Sequence, residues 1–344
     1  MISRISKWLV LTGLACLLLS CGNVEPEIVQ LQGTTMGTYY TITLVLDAKQ
    51  QKTEDLSQSK LKFAIDKKLE LVNAQMSTYI PDSELSLFNQ SKQSFVVSKA
   101  TAFVVNSALK IYKQSQGAYD ITVGPLVNLW GFGPDKRPTK VPSAGLIARQ
   151  KLRVGGQYLT VQGTTLQKAI PDLYIDLSSI AKGYGVDVIS EYLQSLGINN
   201  YLVDIGGELR AQGMKPKNKR WTLAIERPTV GKNVEQVIHI GDNAIATSGD
   251  YRNYYEFNGI RYSHTIDPNT GKPITHKLAS VTVINKSCML ADAYATAITV
   301  LGPKVGLDFA KKHQLAVFLI VKKGDKFIES YTDAFKMYLV QEDL

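Results

Sequence analysis

Three short segments of this 344-residue sequence carry polar side chains at spacings that could do chemistry. The first is Ala291-Asp-Ala-Tyr-Ala-Thr-Ala297. Asp292 and Thr296 stand four residues apart and share one face of a helix. The flanking alanines let another chain or a ligand come close. A carboxylate and a hydroxyl are hard oxygen ligands, suited to Mg²⁺ rather than Zn²⁺. The same spacing also fits an Asp that pairs locally beside a Thr bonded back to its own helix. The second segment is Asp176-Leu-Ser-Ser-Ile-Ala-Lys-Gly183, which joins an apolar stretch to a helix start. Ser178 or Ser179 can cap that helix, and its free N–H groups can meet an anion. Lys182 in the first turn opposes the helix dipole, which a bound anion would relieve. Simple capping with a solvated lysine is the alternative. The third is Ser263-His-Thr-Ile-Asp-Pro268, followed by the turn Asn269-Thr-Gly271. His264 there is a candidate base, or a structural histidine.

The rest of the sequence narrows the chemistry. It has no dinucleotide-binding glycine motif, no phosphate-loop motif, no zinc-protease motif and no esterase elbow. Four histidines (His239, His264, His276, His313) disfavour a His-rich metal site. The formal charge of +9 comes from 39 Lys+Arg against 30 Asp+Glu, spread without a run of five basic residues. That suits phosphate-bearing ligands or a membrane surface and disfavours nucleic acid as the main partner. Three cysteines, Cys16, Cys21 and Cys288, make neither a disulfide framework nor a zinc finger.

These groups need a scaffold, and the pattern predicts one mixed body of α+β class with largely antiparallel sheet and packed helices. Residues 38–46 (TYYTITLVL) read as a strand. Leu61, Ile65, Leu69, Val72 and Met76 recur at helical spacing and predict a helix over 57–76. A second helix follows Ser98, with Phe103, Val105, Leu109 and Tyr112 as its apolar members. Leu173–Leu177 reads as a buried strand, and Ile180–Leu196 as a helix ended by Gly197. Short strands follow at 201–205, 221–226, 235–240 and 279–284. A helix of small residues spans Met289–Leu301, and Pro303 opens another. Lys323-Gly-Asp325 between two apolar runs is a hairpin signal. The Pro/Gly-rich stretch 130–145 is a loop.

The amino terminus reads as a leader. Arg4 and Lys7 precede a short apolar run, Leu9–Leu19, which is too short to span a bilayer comfortably. Leu18-Leu-Ser-Cys21 resembles the bacterial lipobox, in which the cysteine becomes the lipidated first residue. Residues 1–20 are then a signal peptide, 21–31 a tether and 32–344 the working domain. Cys288 is left alone in an oxidising compartment, as a buried small hydrophobe.

The sequence resembles the ApbE-type family of FAD:protein FMN transferases. The matching stretches are Gly33-Thr-Thr-Met-Gly-Thr38, Met76-Ser-Thr-Tyr79, Tyr119-Asp-Ile-Thr-Val-Gly-Pro-Leu126 and Asp176 to Gly183. Asp204-Ile-Gly-Gly207, Thr247-Ser-Gly249, Ser263 to Pro268 and Ala291 to Thr296 follow in order. The resemblance implies that FAD binds with Mg²⁺. A Thr hydroxyl of an acceptor flavoprotein attacks the FMN-side phosphate, and AMP leaves. It implies flavin contacts at Met36, Tyr79, Ala118, Tyr119, Asp120, Asp176, Lys182 and Ile266, with Tyr79 as the stacking face. It implies metal ligands at Ser179, Asp292 and Thr296, catalysis at His264 and lipidation at Cys21. Some relatives carry a second carboxylate at the position of Ala295. The implied partners are subunits of membrane redox complexes on the periplasmic side, with the inner membrane as the expected anchor. An FAD pyrophosphatase giving FMN and AMP, and a non-catalytic FAD-binding lipoprotein, are the alternatives.

Overall fold

The computed structural model describes residues 25–134, 138, 140–228, 234–249 and 254–340. The expected leader, Cys16 and Cys21 lie outside the described residues, as does part of the Pro/Gly-rich loop. Eight segments rich in β-branched and aromatic residues build one sheet. They are β1 (Glu27–Thr35), β2 (Thr38–Leu46), β3 (Tyr201–Ile205), β4 (Glu208–Gln212), β5 (Ala244–Gly249), β6 (Leu278–Asn285), β7 (Ala316–Lys323) and β8 (Lys326–Tyr331). Each pairs antiparallel with the next in sequence, so spatial order is chain order. The α+β class expected from the sequence is therefore the class observed.

The sheet begins inside the stretch expected to be tether. Glu27 pairs with Leu46, and Val29 and Leu31 are buried. Their alternation with exposed neighbours is a strand pattern. The turn between β1 and β2 is Met36-Gly37, both at positive φ (49° and 71°). A two-residue turn of this kind matches the twist of the strands it joins. Gly206-Gly207 makes the equivalent turn between β3 and β4, and Asp204 Oδ1 accepts from the Gly207 N–H at 2.9 Å.

The helices fall in two connections. α1 (Gln58–Met76), α2 (Glu84–Gln90), α3 (Lys99–Gln114), α4 (Gly124–Leu129), α5 (Ala144–Lys151) and α6 (Ala181–Ser195) lie between β2 and β3. α7 (Cys288–Leu301) and α8 (Pro303–Lys312) lie between β6 and β7. α1 and α6 lay Leu61, Ile65, Leu69, Val186, Ile189 and Leu193 against Ile42, Leu44 and Val203. α7 places Ala291, Ala295 and Ile298 on Val281, Val283 and Val317. The opposite face of the sheet is covered by Trp221, Ile225, Ile238 and Phe335. Burying these side chains supplies the main stabilisation, about 25 cal/mol per Å² of apolar surface.

Two expectations need correction. Phe103 is 56% exposed, whereas Val105 and Leu109 of α3 are buried as expected, with Val104, Ala108 and Ile111 beside them. Leu173–Leu177 is buried but belongs to no sheet. Asn89 takes the place of a neighbouring strand there: its side chain accepts from Ile175 N (2.8 Å) and donates to Ile175 O (2.9 Å).

α6 and α7 cap one another. Asp187 of α6 accepts from Cys288 N and Met289 N, both at 3.0 Å, and from Ser287 Oγ at 2.7 Å. Arg210 of β4 donates to the same carboxylate at 2.7 Å. In return, Asp292 of α7 accepts from Gly183 N near the start of α6 at 3.2 Å. The two helices meet so closely that a Cβ on Gly183 would lie 2.4 Å from Cys288 O. Cys288 itself is fully buried with a free thiol, as expected.

Removing one partner of a buried ion pair leaves the other charge unpaired and costs about 3–5 kcal/mol. Asp187→Ala is therefore expected to lower unfolding stability by about that amount, with Asp187→Asn losing less. Urea denaturation followed by circular dichroism measures it. A change under 1 kcal/mol, small beside that cost, would show that Asp187 does not clamp the helices.

Candidate functional site

The cleft opens at one end of the sheet, where the start of α6, the middle of α7 and the turn into β4 converge. A cavity of about 420 Å³ lies there. Its wall includes Tyr79, Ala118, Tyr119, Asp120, Asp176 and Ser179. Lys182, His264, Ile266, Asp292 and Thr296 complete the set of expected residues on it. Met36 is not on this wall. It lines an adjoining cavity of about 960 Å³, which shares Tyr79, Asp176, Ser178 and Lys182 with the first. Tyr79 is 66% exposed, so its ring is a free face and not a packed core tyrosine.

The local chemistry sorts these side chains. Asp120 is buried, with Oδ1 accepting from Thr122 N and Oγ1 (2.8 and 2.7 Å) and Oδ2 from Gly156 N (3.1 Å). Burial pushes its pKa up against those bonds. Its carboxylate thus fixes the loop that carries Ala118 and Tyr119. Tyr119 is fully buried, and its hydroxyl accepts from Ser179 Oγ at 3.1 Å. Burial holds the Tyr119 hydroxyl protonated far above the ordinary tyrosine range. Ser179 thus gives its hydroxyl hydrogen to Tyr119 on the wall of the cleft. Asp176 closes its turn by accepting from Ser178 N at 2.8 Å.

The serines do not cap α6, contrary to the expectation from sequence. The cap residue is Ile180, without a side-chain bond, and the first turn is served by Asp292 from across the helix pair. Lys182 does not stand free for an anion. It pairs with Glu208 at 2.6 Å. Burial pulls its ammonium down, but the Glu208 and Asp292 carboxylates outweigh that and hold it charged. Burial pushes the Glu208 carboxyl up to about 7, with the Asp292 charge adding and Lys182 opposing. Burial raises the Asp292 carboxyl too. One ammonium thus faces two buried carboxyl groups. Moreover, Glu208 Oε2 is buried without a hydrogen-bond partner among the described residues. Such an oxygen is costly unless a cation or a donor meets it.

Sequence reasoning missed Glu208. The one signal was its place directly after Asp204-Ile-Gly-Gly207, where a tight turn aims the next side chain. Thr247, Ser248 and Gly249 also border the cavity. Ala295 is buried against the core and does not border it.

His264 is held by an aromatic shelf. Trp130 stacks on Tyr262 (5.5 Å), Tyr262 on Tyr255 (5.3 Å) and Tyr255 meets Phe132 (5.3 Å). Phe132 presents its ring edge-to-face to His264 at 6.3 Å. Trp130 Nε1 donates to Gly271 O at 2.9 Å, which ties the following turn to the shelf. Asp267 turns away from the cleft and accepts from Asn269 N at 2.9 Å. Among the described residues no three His, Cys, Asp or Glu side chains converge as a ready-made metal cage. The oxygen set of Asp292, Thr296, Ser179 and the orphaned Glu208 atom fits a hard cation completed by ligand or water oxygens.

The fold and cleft define an α+β enzyme with a two-lobed site whose polar groups meet at a helix start. Residues 36–319 match the model of the ApbE family. A FAD:protein FMN transferase of Vibrio cholerae is 50% identical over 337 residues, 97% of this chain and 99% of the relative. The FAD:protein FMN transferase of Escherichia coli K12 is 43% identical, over 92% of this chain and 90% of its own. The solved flavin transferase ApbE from Vibrio cholerae superposes with TM-score 0.85 at 48% identity, covering 91% of this chain and all of its own. The apo flavinyl transferase ApbE of Pseudomonas stutzeri gives 0.83 at 39%, over 92% and 98% of the two chains. The chain belongs to the ApbE family.

The Glu208 carboxyl makes a pH signature. Its native pKa lies above the ordinary 4.5, so the folded state binds this proton more tightly than the unfolded one. Stability from this group is present below pH 4.5 and is lost as pH rises towards about 7. Glu208→Gln should therefore flatten the stability–pH curve between those values relative to wild type. Urea midpoints across pH 4.5–8 measure the difference. Parallel curves would mean that Glu208 titrates normally.

Proposed function

We propose that this enzyme transfers FMN from FAD to a Thr hydroxyl of an acceptor flavoprotein, with Mg²⁺, releasing AMP. The observation that carries the reading is the meeting of His264, Asp292, Thr296 and an orphaned Glu208 oxygen in one cleft at the start of α6. The two lobes share Asp176, Ser178 and Lys182. A dinucleotide has two ring systems joined by a pyrophosphate, so its phosphates belong at that junction. Tyr79 borders both lobes and offers an open ring for stacking.

Phosphoryl transfer is largely positioning plus charge neutralisation. Ser179, Asp292 and Thr296 would hold Mg²⁺, which neutralises pyrophosphate charge and eases departure of AMP. Lys182 keeps Glu208 in place and lends positive charge at the junction. His264 accepts the proton of the attacking hydroxyl as the new P–O bond forms and the pyrophosphate P–O bond breaks. The AMP oxygen carries away the electron pair. Phe132 and the aromatic shelf fix the imidazole for this step. The acceptor is a periplasm-facing subunit of a membrane redox complex, and Cys21 anchors the enzyme to that membrane by lipid.

Incubation with FAD, Mg²⁺ and an acceptor domain tests the whole reading by mass. The acceptor gains one FMN if the proposal holds. Free FMN with AMP means hydrolysis, and no product means a binder. His264→Ala is expected to slow single-turnover transfer about 10²–10⁴-fold, or about 3–5 kcal/mol, with FAD affinity little changed. If affinity falls in step with rate, His264 is a binding residue. Asp292→Asn keeps an oxygen for Gly183 N but loses the charge. It should raise the Mg²⁺ concentration for half-maximal transfer at least tenfold, without unfolding. A wild-type Mg²⁺ titration would remove Asp292 from the metal site.

A further inference from the structure

The register of the sheet separates two ends of the molecule. At one end lie the turns Met36-Gly37 and Gly206-Gly207, with Glu208 and Gly249 beside them. That end holds the cleft. The opposite end collects Glu27, Leu46, Tyr201 and Gln212, as pairing of β1 to β2, β2 to β3 and β3 to β4 requires. β1 has nine residues, so the two ends lie about 27 Å apart at about 3.4 Å per residue.

The chain enters at the end remote from the cleft. Glu25 O accepts from Gln51 Nε2 at 3.0 Å, and Gln51 also reaches Leu46 O. The described chain therefore begins, at Glu25, beside the loop 47–53. That loop exposes Lys49 and Lys52. Gln50 Nε2 ties it to Gly197 O, and Asn200 Oδ1 accepts from Met214 N at 2.8 Å. The adjoining segment Met214-Lys-Pro-Lys-Asn-Lys-Arg220 thus lies at the same end. Lys217, Lys219 and Arg220 are exposed, and none makes an ion pair among the described residues. Met214 is 41% exposed beside them. Lys286 is the next cation along, donating to Asp242 O.

The acidic groups at this end are largely engaged. Asp47 Oδ1 accepts from Lys49 N and Gln50 N, and Asp242 Oδ1 from Gly213 N. Glu54 and Asp55 both pair with Lys60. Glu25 and Glu27 remain as exposed opposing charges. The turn tip is held at a conformational cost: Lys217 and Asn218 have φ of 61° and 55°, and Lys215 N donates to Lys219 O at 2.8 Å. A lysine stands where the backbone favours glycine or asparagine, and the turn presents its ammonium outward.

We propose that the 214–220 turn, with Lys49 and Lys52, is a basic platform that rests on anionic phospholipid headgroups. The lipid carried by Cys21, four residues before Glu25, enters the bilayer beside it. The active-site cleft then faces away from the membrane, towards acceptor domains that stand above it. Clusters of exposed Lys and Arg beside a membrane-entering segment bind acidic lipid additively, and the effect fades within a Debye length. The platform does not depend on the transfer chemistry, although its placement rests on the amino-terminal anchor.

Hydrogen exchange on the full chain, processed in cells and reconstituted into vesicles, tests this. Amides of 214–220 and 47–53 are expected to be protected on vesicles with 30% phosphatidylglycerol and unprotected on pure phosphatidylcholine, a composition chosen to set a strong surface potential. Lys217→Glu with Lys219→Glu should abolish that protection and leave FMN transfer to a soluble acceptor domain unchanged. Protection that is absent on both vesicles, that survives the charge reversal, or that appears at 36–38 and 205–208 overturns the proposal. Fatty-acid labelling of the same preparation reports the anchor separately.

Discussion

Everything at the site hangs on the reciprocal capping of α6 and α7. A helix start carries unsatisfied N–H groups, and burying it without acceptors is costly. Asp187 satisfies the start of α7, and Asp292 serves the first turn of α6. Each helix thus supplies the acceptor that its neighbour lacks. The pairing sets both the axial register and the close approach that only Gly183 permits. It also brings Asp292 and Lys182 together on the wall of one cleft. Arg210 extends the arrangement to the sheet, so the strand that begins with the buried Glu208 is fixed against the same helix pair.

That dependence explains why Asp292 has two uses. One oxygen binds the main chain of α6, while the residue also borders the cleft. A ligand held by Asp292 is therefore held by a group whose direction is set by two helices and not by a flexible side chain. Preorganisation of this kind lowers the cost of ordering a reacting group. His264 obtains the same rigidity differently, from stacked rings on a hairpin and not from a helix end.

Much of the scaffold was legible because its pattern is local. The spacing of Leu61, Ile65 and Leu69 gave α1, and the alanines around Asp292 gave α7, because both depend on helical period alone. Thr38–Leu46 and the Lys323–Asp325 hairpin were equally local. The candidate site residues were expected from ordered motif resemblance, and the cleft gathers all of the described ones except Met36, which lines the adjoining lobe. What escaped depends on long-range contacts. Leu173–Leu177 has strand composition, but Asn89, 86 residues before Ile175, supplies the hydrogen bonds a strand would. Ser178 and Ser179 look like caps, yet a carboxylate 109 residues from Gly183 does that work. Glu208 is an ordinary glutamate until the fold buries it beside Lys182 and Asp292.

The charge balance of the cleft connects stability to function. Two buried carboxyl groups share one ammonium, and one carboxylate oxygen faces no donor among the described residues. An apolar replacement would often stabilise such a core, so retaining these groups works against folding. A site that binds a cation with an anionic ligand reverses the sign: the cation supplies the missing positive charge, and the ligand's oxygens complete its shell. Stabilisation of the folded state then follows from binding itself, in proportion to the logarithm of ligand excess over its dissociation constant. The strain therefore belongs where it is found, between two mutually capped helices. There the mutually capped helices and the start of β4 hold the Glu208 and Asp292 carboxyl groups around the one Lys182 ammonium.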